Sequence, residues 1–292
     1  MGRRGVYWIL VLLICSSAVQ AQNHNRRNTY KPAASQDAFT KTQFYLGIRS
    51  GFSLTSAHVK QRYSSFVSPS DPNQTYDKTY QSYDQAAALA GLDFAFYFKG
   101  FTLSFQPNYR RERFNYSNQY QWTDNSDPSN YLELRYKQDV RLDYLELPLF
   151  VKYDIIQTNL RPFVQVGFYY GMLNSATRHL VVSGTDHASG TSRDFIQQDA
   201  IVGAKELYIR SSTGIAFGAG CSYKLGNVRL VADVTYRYGF NNTTNVSNRY
   251  SSNPLSGSGD VPDDLSLNNI SFSFGCLFPM KFLTSGKYKA VD

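Results

Sequence analysis

Gly214-Ile-Ala-Phe-Gly-Ala-Gly-Cys-Ser-Tyr-Lys-Leu-Gly-Asn-Val-Arg-Leu-Val-Ala-Asp-Val-Thr-Tyr-Arg-Tyr-Gly239 is the stretch that decides the fold. Ile215, Phe217, Ala219, Cys221, Tyr223 and Leu225 fall on one side of a period-two repeat. Gly214, Ala216, Gly218, Gly220, Ser222 and Lys224 fall on the other. Gly226-Asn227 then reverses the chain as a two-residue hairpin turn. Beyond it Val228, Leu230, Ala232, Val234, Tyr236 and Tyr238 alternate with Arg229, Asp233, Thr235, Arg237 and Gly239. Strands with one wholly apolar face and one small, polar or charged face fit a sheet whose outside meets lipid.

The same signature recurs along the chain. Phe44, Leu46, Ile48, Phe52 and Leu54 alternate with Arg49 and Gly51; Ala88 to Phe98 with Asp93; Leu103 to Tyr109 with Arg110. Leu145 to Tyr153 alternate with Glu146 and Lys152, Val164 to Met172 with Gln165, and Ile270 to Phe278 with Ser271. That gives about eight strands, the even number of a single-chain barrel. The connections alternate in length as well. Lys99-Gly100, Gly226-Asn227 and Asp154 to Asn159 are short, whereas Thr55–Tyr83, Arg111–Arg141, Leu173–Arg210 and Asn241–Leu267 are long and polar. All long connections therefore lie at one end, which a secreted sandwich has no reason to do. The expected fold is all-β: a transmembrane antiparallel up-and-down β-barrel with short periplasmic turns and long extracellular loops. Tyr131, Glu133, Arg135 and Lys137 alternate with Leu132, Leu134 and Tyr136, so some strands are expected to rise above the membrane.

Residues 1–21 read as a signal peptide: Arg3 and Arg4, the apolar run Val6 to Ile14, and the cleavage signal Val19-Gln20-Ala21. Cys15 follows the bulky Ile14, so lipid attachment there is not expected. Residues 22–42 form a polar arm, 43–278 the barrel and 279–292 a periplasmic tail, with no cell-wall-binding domain expected after it. Export points to the outer membrane. The mean hydropathy is −0.39, yet 23 Tyr and 20 Phe are present. A barrel reconciles the two, because only alternate residues meet lipid and each strand needs only about 9–11 residues. The formal charge is +8; without Arg3 and Arg4, 28 basic residues face 22 acidic ones, a net +6. This excess suits the phosphates of lipopolysaccharide. The dispersed basic residues carry no nucleic-acid reader motif.

Parity directs Arg49, Asp93, Arg110, Glu146, Lys152, Asp233 and Arg237 into the lumen. In a barrel of about eight strands side chains fill the interior, and unpaired buried charge is costly. Heights above the turns pair Arg49 with Asp93 and Arg110 with Glu146. Cys221 and Cys276 take the lipid-facing parity with one strand between them. Nearly 10 Å then separates them, too far for a disulfide.

Tyr144-Leu-Glu-Leu-Pro-Leu-Phe-Val-Lys-Tyr153 resembles the most recognisable strand of the PorT-like outer-membrane β-barrel family of Bacteroidetes. Its Glu-hydrophobe-Pro core is Glu146, Leu147 and Pro148. Arg161 to Gly171, Gly214 to Gly220, Tyr236 to Gly239 and Ile270 to Phe278 are similar to later strands of that family, in order. Ser211-Ser212-Thr213 departs from it where relatives often carry an Asp-containing turn. The resemblance covers about Gln43 to Phe278. It implies the barrel and its location, and an accessory role in protein secretion or assembly.

No catalytic constellation is expected. Asp186-His187 with Ser183 and Ser189 is the one cluster to weigh, but its spacing matches no nucleophile motif and a Gly/Ser-rich loop positions groups poorly. His24, His58 and His179 are scattered, and the cysteines lie apart, so no metal or cofactor is expected. Gly214, Gly218 and Gly220 lack the Lys-Ser/Thr of a phosphate loop; they read as small residues inside a narrow barrel. The expected function is a non-enzymatic, plugged scaffold exposed at the surface, serving secretion-machinery or surface proteins. A small diffusion channel and a lipid A-modifying enzyme are the alternatives.

Overall fold

The computed structural model describes residues 43–63, 78–124, 126–156, 158–187, 191–250 and 261–280. The leader, the arm, all but the first two tail residues, His24, Cys15 and Ser189 lie outside the described residues.

Eleven strands occur among the described residues: β1 (Gln43–Gln61), β2 (Thr79–Gln81), β3 (Ala86–Phe98), β4 (Phe101–Phe105), β5 (Asn108–Thr123), β6 (Tyr131–Asp154), β7 (Leu160–Asp186), β8 (Arg193–Gly203), β9 (Ser211–Leu225), β10 (Val228–Gly239) and β11 (Asp264–Pro279). Following the antiparallel pairings, β1 joins β3, β3 joins β4 and β5, and both of these join β6. β6 joins β7, β7 joins β9, β9 joins β10, β10 joins β11, and β11 returns to β1. The ring is closed. β4 and β5 are two lengths of one stave, so eight staves make the wall, while β2 and β8 pair only with the outer parts of β5 and β7.

The break between β4 and β5 has a local cause. Gln106 donates its amide to the Pro148 carbonyl at 3.0 Å, and the reciprocal bond is missing because Pro148 has no N–H. The Asn108 Nδ2 group replaces it, donating to the Gln106 carbonyl at 2.8 Å. On the opposite side Leu92 donates to the Pro107 carbonyl at 2.9 Å. Proline thus interrupts the ladder without shifting its register, because a side chain takes over the lost donor.

At the short ends, Lys99 and Gly100 both adopt positive φ, 45° and 91°, as a type I′ turn requires. Gly226 has φ 58°. At the other end the strands run far into segments that the sequence reading treats as loops. β5 and β6 reach Thr123 and Tyr131, β7 reaches Asp186, and β8 lies wholly within the third long connection. The reason lies on the inner face. Ala57, Phe114, Tyr116, Val140, Leu142, Tyr144, Leu173, Ala176, Leu265 and Leu267 are buried there, together with Ala204, Leu207 and Tyr208 from the third connection. This apolar cap gives the upper sheet a core of its own. A 3-10 turn at Lys205–Leu207 sits within it, tied down by the amides of Ala204 to the Ala176 carbonyl (2.9 Å) and Ile209 to Thr243 (2.9 Å).

Outside, Phe44, Ile48, Leu103, Leu149, Val166, Phe168, Phe217 and Phe274 are exposed along the apolar faces. Aromatics concentrate at both limits of this band, with Phe101 and Tyr153 4.9 Å apart near the turns and Tyr238 and Phe240 6.0 Å apart at the far side. Such girdles mark the two interfaces of a membrane. Inside, Tyr169 leaves no room beside it for a larger residue at Gly214, where a Cβ would meet the Tyr169 hydroxyl at 2.5 Å and the Tyr238 carbonyl at 2.1 Å.

Replacing Asn108 by Ala strands the Gln106 carbonyl and is expected to cost about 1–3 kcal/mol in denaturant unfolding. Adding Pro148→Ala supplies the missing N–H and recovers part of that loss. No recovery would mean that Asn108 serves another purpose.

Candidate functional site

The lumen is built in layers, because residues two apart on every stave point inward. Nearest the short turns, the Arg229 guanidinium lies 5.2 Å from the ring centres of both Tyr45 and Tyr97. Arg161 donates to the Tyr97 hydroxyl at 3.0 Å and pairs with Asp154 at 3.4 Å. Phe163, Val231 and Leu277 pack around these groups.

The next layer centres on Arg49. Its guanidinium pairs with Asp93 at 3.1 Å, and with Asp233 and Ser273 through its other terminal nitrogen. Asp93 also accepts from Ser104 at 2.6 Å and Gln106 at 3.2 Å, and Lys152 approaches it to 3.8 Å. Asp233 accepts from Ser273 at 2.9 Å and from Thr235 at 3.2 Å. Two cations and two carboxylates thus share one layer, and the hydroxyls and amides occupy carboxylate lone pairs that water would otherwise take.

Above it, Arg110 lies 3.7 Å from Glu146 and 3.3 Å from Glu112, and Arg237 lies 3.4 Å from Glu146. Glu112 accepts from Asn269 at 2.9 Å, and Asn269 in turn contacts Thr55 at 2.6 Å. This layer too has two cations and two carboxylates. The seven charges that the sequence pattern assigned to the lumen, Arg49, Asp93, Arg110, Glu146, Lys152, Asp233 and Arg237, are all buried in these two layers. Those seven alone sum to +1, and the eighth, Glu112, makes the set neutral. It was missed because it lies in a segment read as loop, although it shares the parity of Arg110; the odd residual charge was the available signal. Arg161 and Arg229, also on inward parity, were not singled out either.

Little space is left. One lumen space beside Arg49, Gln106 and Arg237 and another beside Arg110, Tyr144 and Tyr169 measure about 10 Å³ each, near the minimum for a single water. Beyond them the apolar cap covers the outer end.

Of the cluster around Asp186 and His187, Ser183 lies within the described residues and Ser189 outside them. The His187 ring stacks on Tyr131 at 4.1 Å and its amide donates to the Tyr131 carbonyl at 3.0 Å. Ser183 lies on β7 four residues before His187, and no hydrogen bond between the two occurs among the described residues. His58 lies on β1 and His179 on β7, and no His/Cys/Asp/Glu group able to hold a metal occurs among the described residues. Cys221 and Cys276 are free thiols, each paired in register with β10, to Ala232 and Leu230.

A closed stave ring, an apolar exterior band and a filled polar lumen are the features of a membrane barrel, and residues 20–245 match the family model described as outer membrane protein beta-barrel domain. The chain belongs to that family. This barrel is therefore an outer-membrane protein, with its long connections extracellular. No curated protein matches it in sequence. Among solved structures it is similar to Neisserial surface protein A, with 14% identity and a TM-score of 0.32 over 82% of this chain and 98% of that one. The attachment invasion locus protein Ail of Yersinia pestis shares 12% identity at a TM-score of 0.29, over 81% and 99% of the two chains. The outer membrane protease OmpT of Escherichia coli shares 10% at 0.34, over 80% and 96%. None of these likenesses assigns a ligand or an activity to this outer-membrane barrel.

Arg49→Met in this barrel leaves Asp93 and Asp233 buried without their shared cation. It is expected to destabilise by about 3–5 kcal/mol. Combining it with Asp233→Asn, which leaves Lys152 opposite Asp93 and the layer neutral, should restore much of the loss, as read from unfolding midpoints in detergent. A double variant as unstable as the single one would refute the pairing account.

Proposed function

We propose that the protein is a non-enzymatic, plugged barrel that holds a rigid sheet platform at the cell surface, as a scaffold or accessory of protein secretion or outer-membrane assembly. The observation that carries this reading is the contrast between its two halves. Within the membrane band the lumen is occupied by two neutral layers of ion pairs, which leave no room for a permeating solute. Above the band the staves continue for many residues, β5 to Thr123 and β7 to Asp186, over a core of their own. A chain that served only to span the membrane has no need of that second core.

The order of strand motifs around Glu146, Leu147 and Pro148 supports placing the chain with the PorT-like barrels of Bacteroidetes, and that membership is the basis for the secretion role. The leader, residues 1–21, supplies the export route in this reading, and the mature barrel sits among outer-membrane lipid and lipopolysaccharide. The stacked His187 and the absence of a bonded Ser–His pair among the described residues favour a binding role over lipid A modification.

Conductance separates this proposal from the diffusion-channel alternative. The purified barrel in planar bilayers is expected to give no discrete, reproducible steps, and steady ohmic steps would contradict it. Chemical crosslinking in native outer membranes, followed by identification of the captured partners, should recover secretion or assembly components. Recovery of lipid alone would remove the accessory role.

A further inference from the structure

The outer faces of β5 and β6 change character abruptly where the apolar band ends. Tyr109 and Leu145 are opposite each other and exposed, and Leu145 is opposite the exposed Met172. The next outward-facing row is Arg111 opposite Asp143, and the row beyond it is Arg113 directly opposite Arg141. Asn115 opposite Asp139 and Ser117 opposite Lys137 follow. Like charges directly opposite on one face of a sheet are destabilising, so the Arg113–Arg141 row is an anomaly that local carboxylates ought to relieve.

They do so only in part. Asp143 is held by Arg111 at 2.7 Å, and Asp139 by Arg113 at 2.7 Å and Gln85 at 2.9 Å. Asp84, the further acid on this side, accepts from Asn115 at 3.0 Å. Arg141 is exposed and has no ion-pair partner among the described residues, and the same holds for Lys137. The row's height matters as much as its charge. Four residues beyond Tyr109, at about 3.4 Å each along a stave tilted by about 40°, set it about 10 Å above the band. The headgroup layer, about 5–8 Å deep on each side, lies just below that row, within reach of long arginine side chains that bend toward it.

We propose that Arg113 and Arg141 form the centre of a binding surface for the phosphate groups of an outer-leaflet phosphoglycolipid. A guanidinium presents a planar fork of donors that matches a phosphate in two-point contact. One phosphate between the two forks turns a repulsive row into an attractive one. The apolar residues immediately below, Tyr109, Leu145 and Met172, lie where the acyl chains of the same lipid would run. This inference rests on the outer-membrane location and is independent of whether the lumen conducts.

The test uses the full barrel refolded in detergent, with bisphosphorylated lipid A, lipid A stripped of its phosphates, and inorganic phosphate as probes. The parent is expected to bind the bisphosphorylated lipid about tenfold more tightly than the stripped one, the size of one charge-assisted contact. Arg141→Gln should lose most of that preference. In lipid-free detergent it should melt at the same temperature as the parent or higher, since it removes a like-charge opposition. Arg210→Gln is the control, because Arg210 is an exposed arginine outside the Arg113–Arg141 row, nearer the band and next to Ser211, the residue opposite Met172; it should bind like the parent. The proposal is overturned if the parent shows no phosphate preference, if Arg141→Gln keeps it, if Arg210→Gln loses as much, or if inorganic phosphate at equal concentration displaces the lipid.

Discussion

A backbone amide or carbonyl that faces hydrocarbon has no water to bond, so a sheet that crosses a membrane must have no edge there. The pairing of β11 with β1 meets that condition, and much else follows from it. Eight staves enclose a lumen too narrow for water to fill freely and too wide to leave empty. Side chains must occupy it. Glycine at 214 lets the Tyr169 ring lie across the lumen, and Asn108 repairs the ladder where Pro148 cannot donate.

Once the lumen is closed to bulk water, charge placed there has to be neutralised locally. Arg49 between Asp93 and Asp233 links three staves, β1, β3 and β10, and Glu146 between Arg110 and Arg237 links β6, β5 and β10. Arg49–Asp93 and Arg110–Glu146 join neighbouring staves, whereas Arg49–Asp233 and Arg237–Glu146 reach across the lumen. Breaking one leaves a buried charge, whereas replacing a whole set by apolar residues need not be costly. Ion pairs of this kind fix which staves face each other and hold the interior shut. The apolar cap at Leu207 and Tyr208 closes the outer end by a different means, ordinary burial of hydrophobic surface.

Much of this was legible in the sequence, because lipid imposes period two on every stave. Ile215 to Leu225 and Val228 to Tyr238 show it in full, and the two-residue turn between them sets the register. Parity and height above the turns then place Arg49 near Asp93 and Arg110 near Glu146. Legibility ends where lipid ends. Beyond Arg111 both faces of the staves carry polar residues, so alternation fades and Glu112, Phe114 and Gln138 cannot be told apart as inward-facing. β8 was hidden for the same reason. Asp233 could be placed in the lumen, but its sharing of Arg49 depends on how staves far apart in sequence meet across the barrel. The Arg113–Arg141 opposition depends on the β5–β6 register, which no short turn fixes from the sequence.

The centre of the lumen is closed to solvent. Ser53 lies there, fully buried, at the level of Thr235 and Ser271. Its hydroxyl makes one bond, to the Arg111 carbonyl at 3.2 Å. Ser53→Cys in a background with Cys221→Ala and Cys276→Ala places a single thiol in the described barrel at that point. A charged, water-soluble thiol reagent applied to the folded protein in detergent is predicted to leave it unmodified until the barrel is unfolded. Rapid labelling of the folded barrel would contradict a plugged lumen.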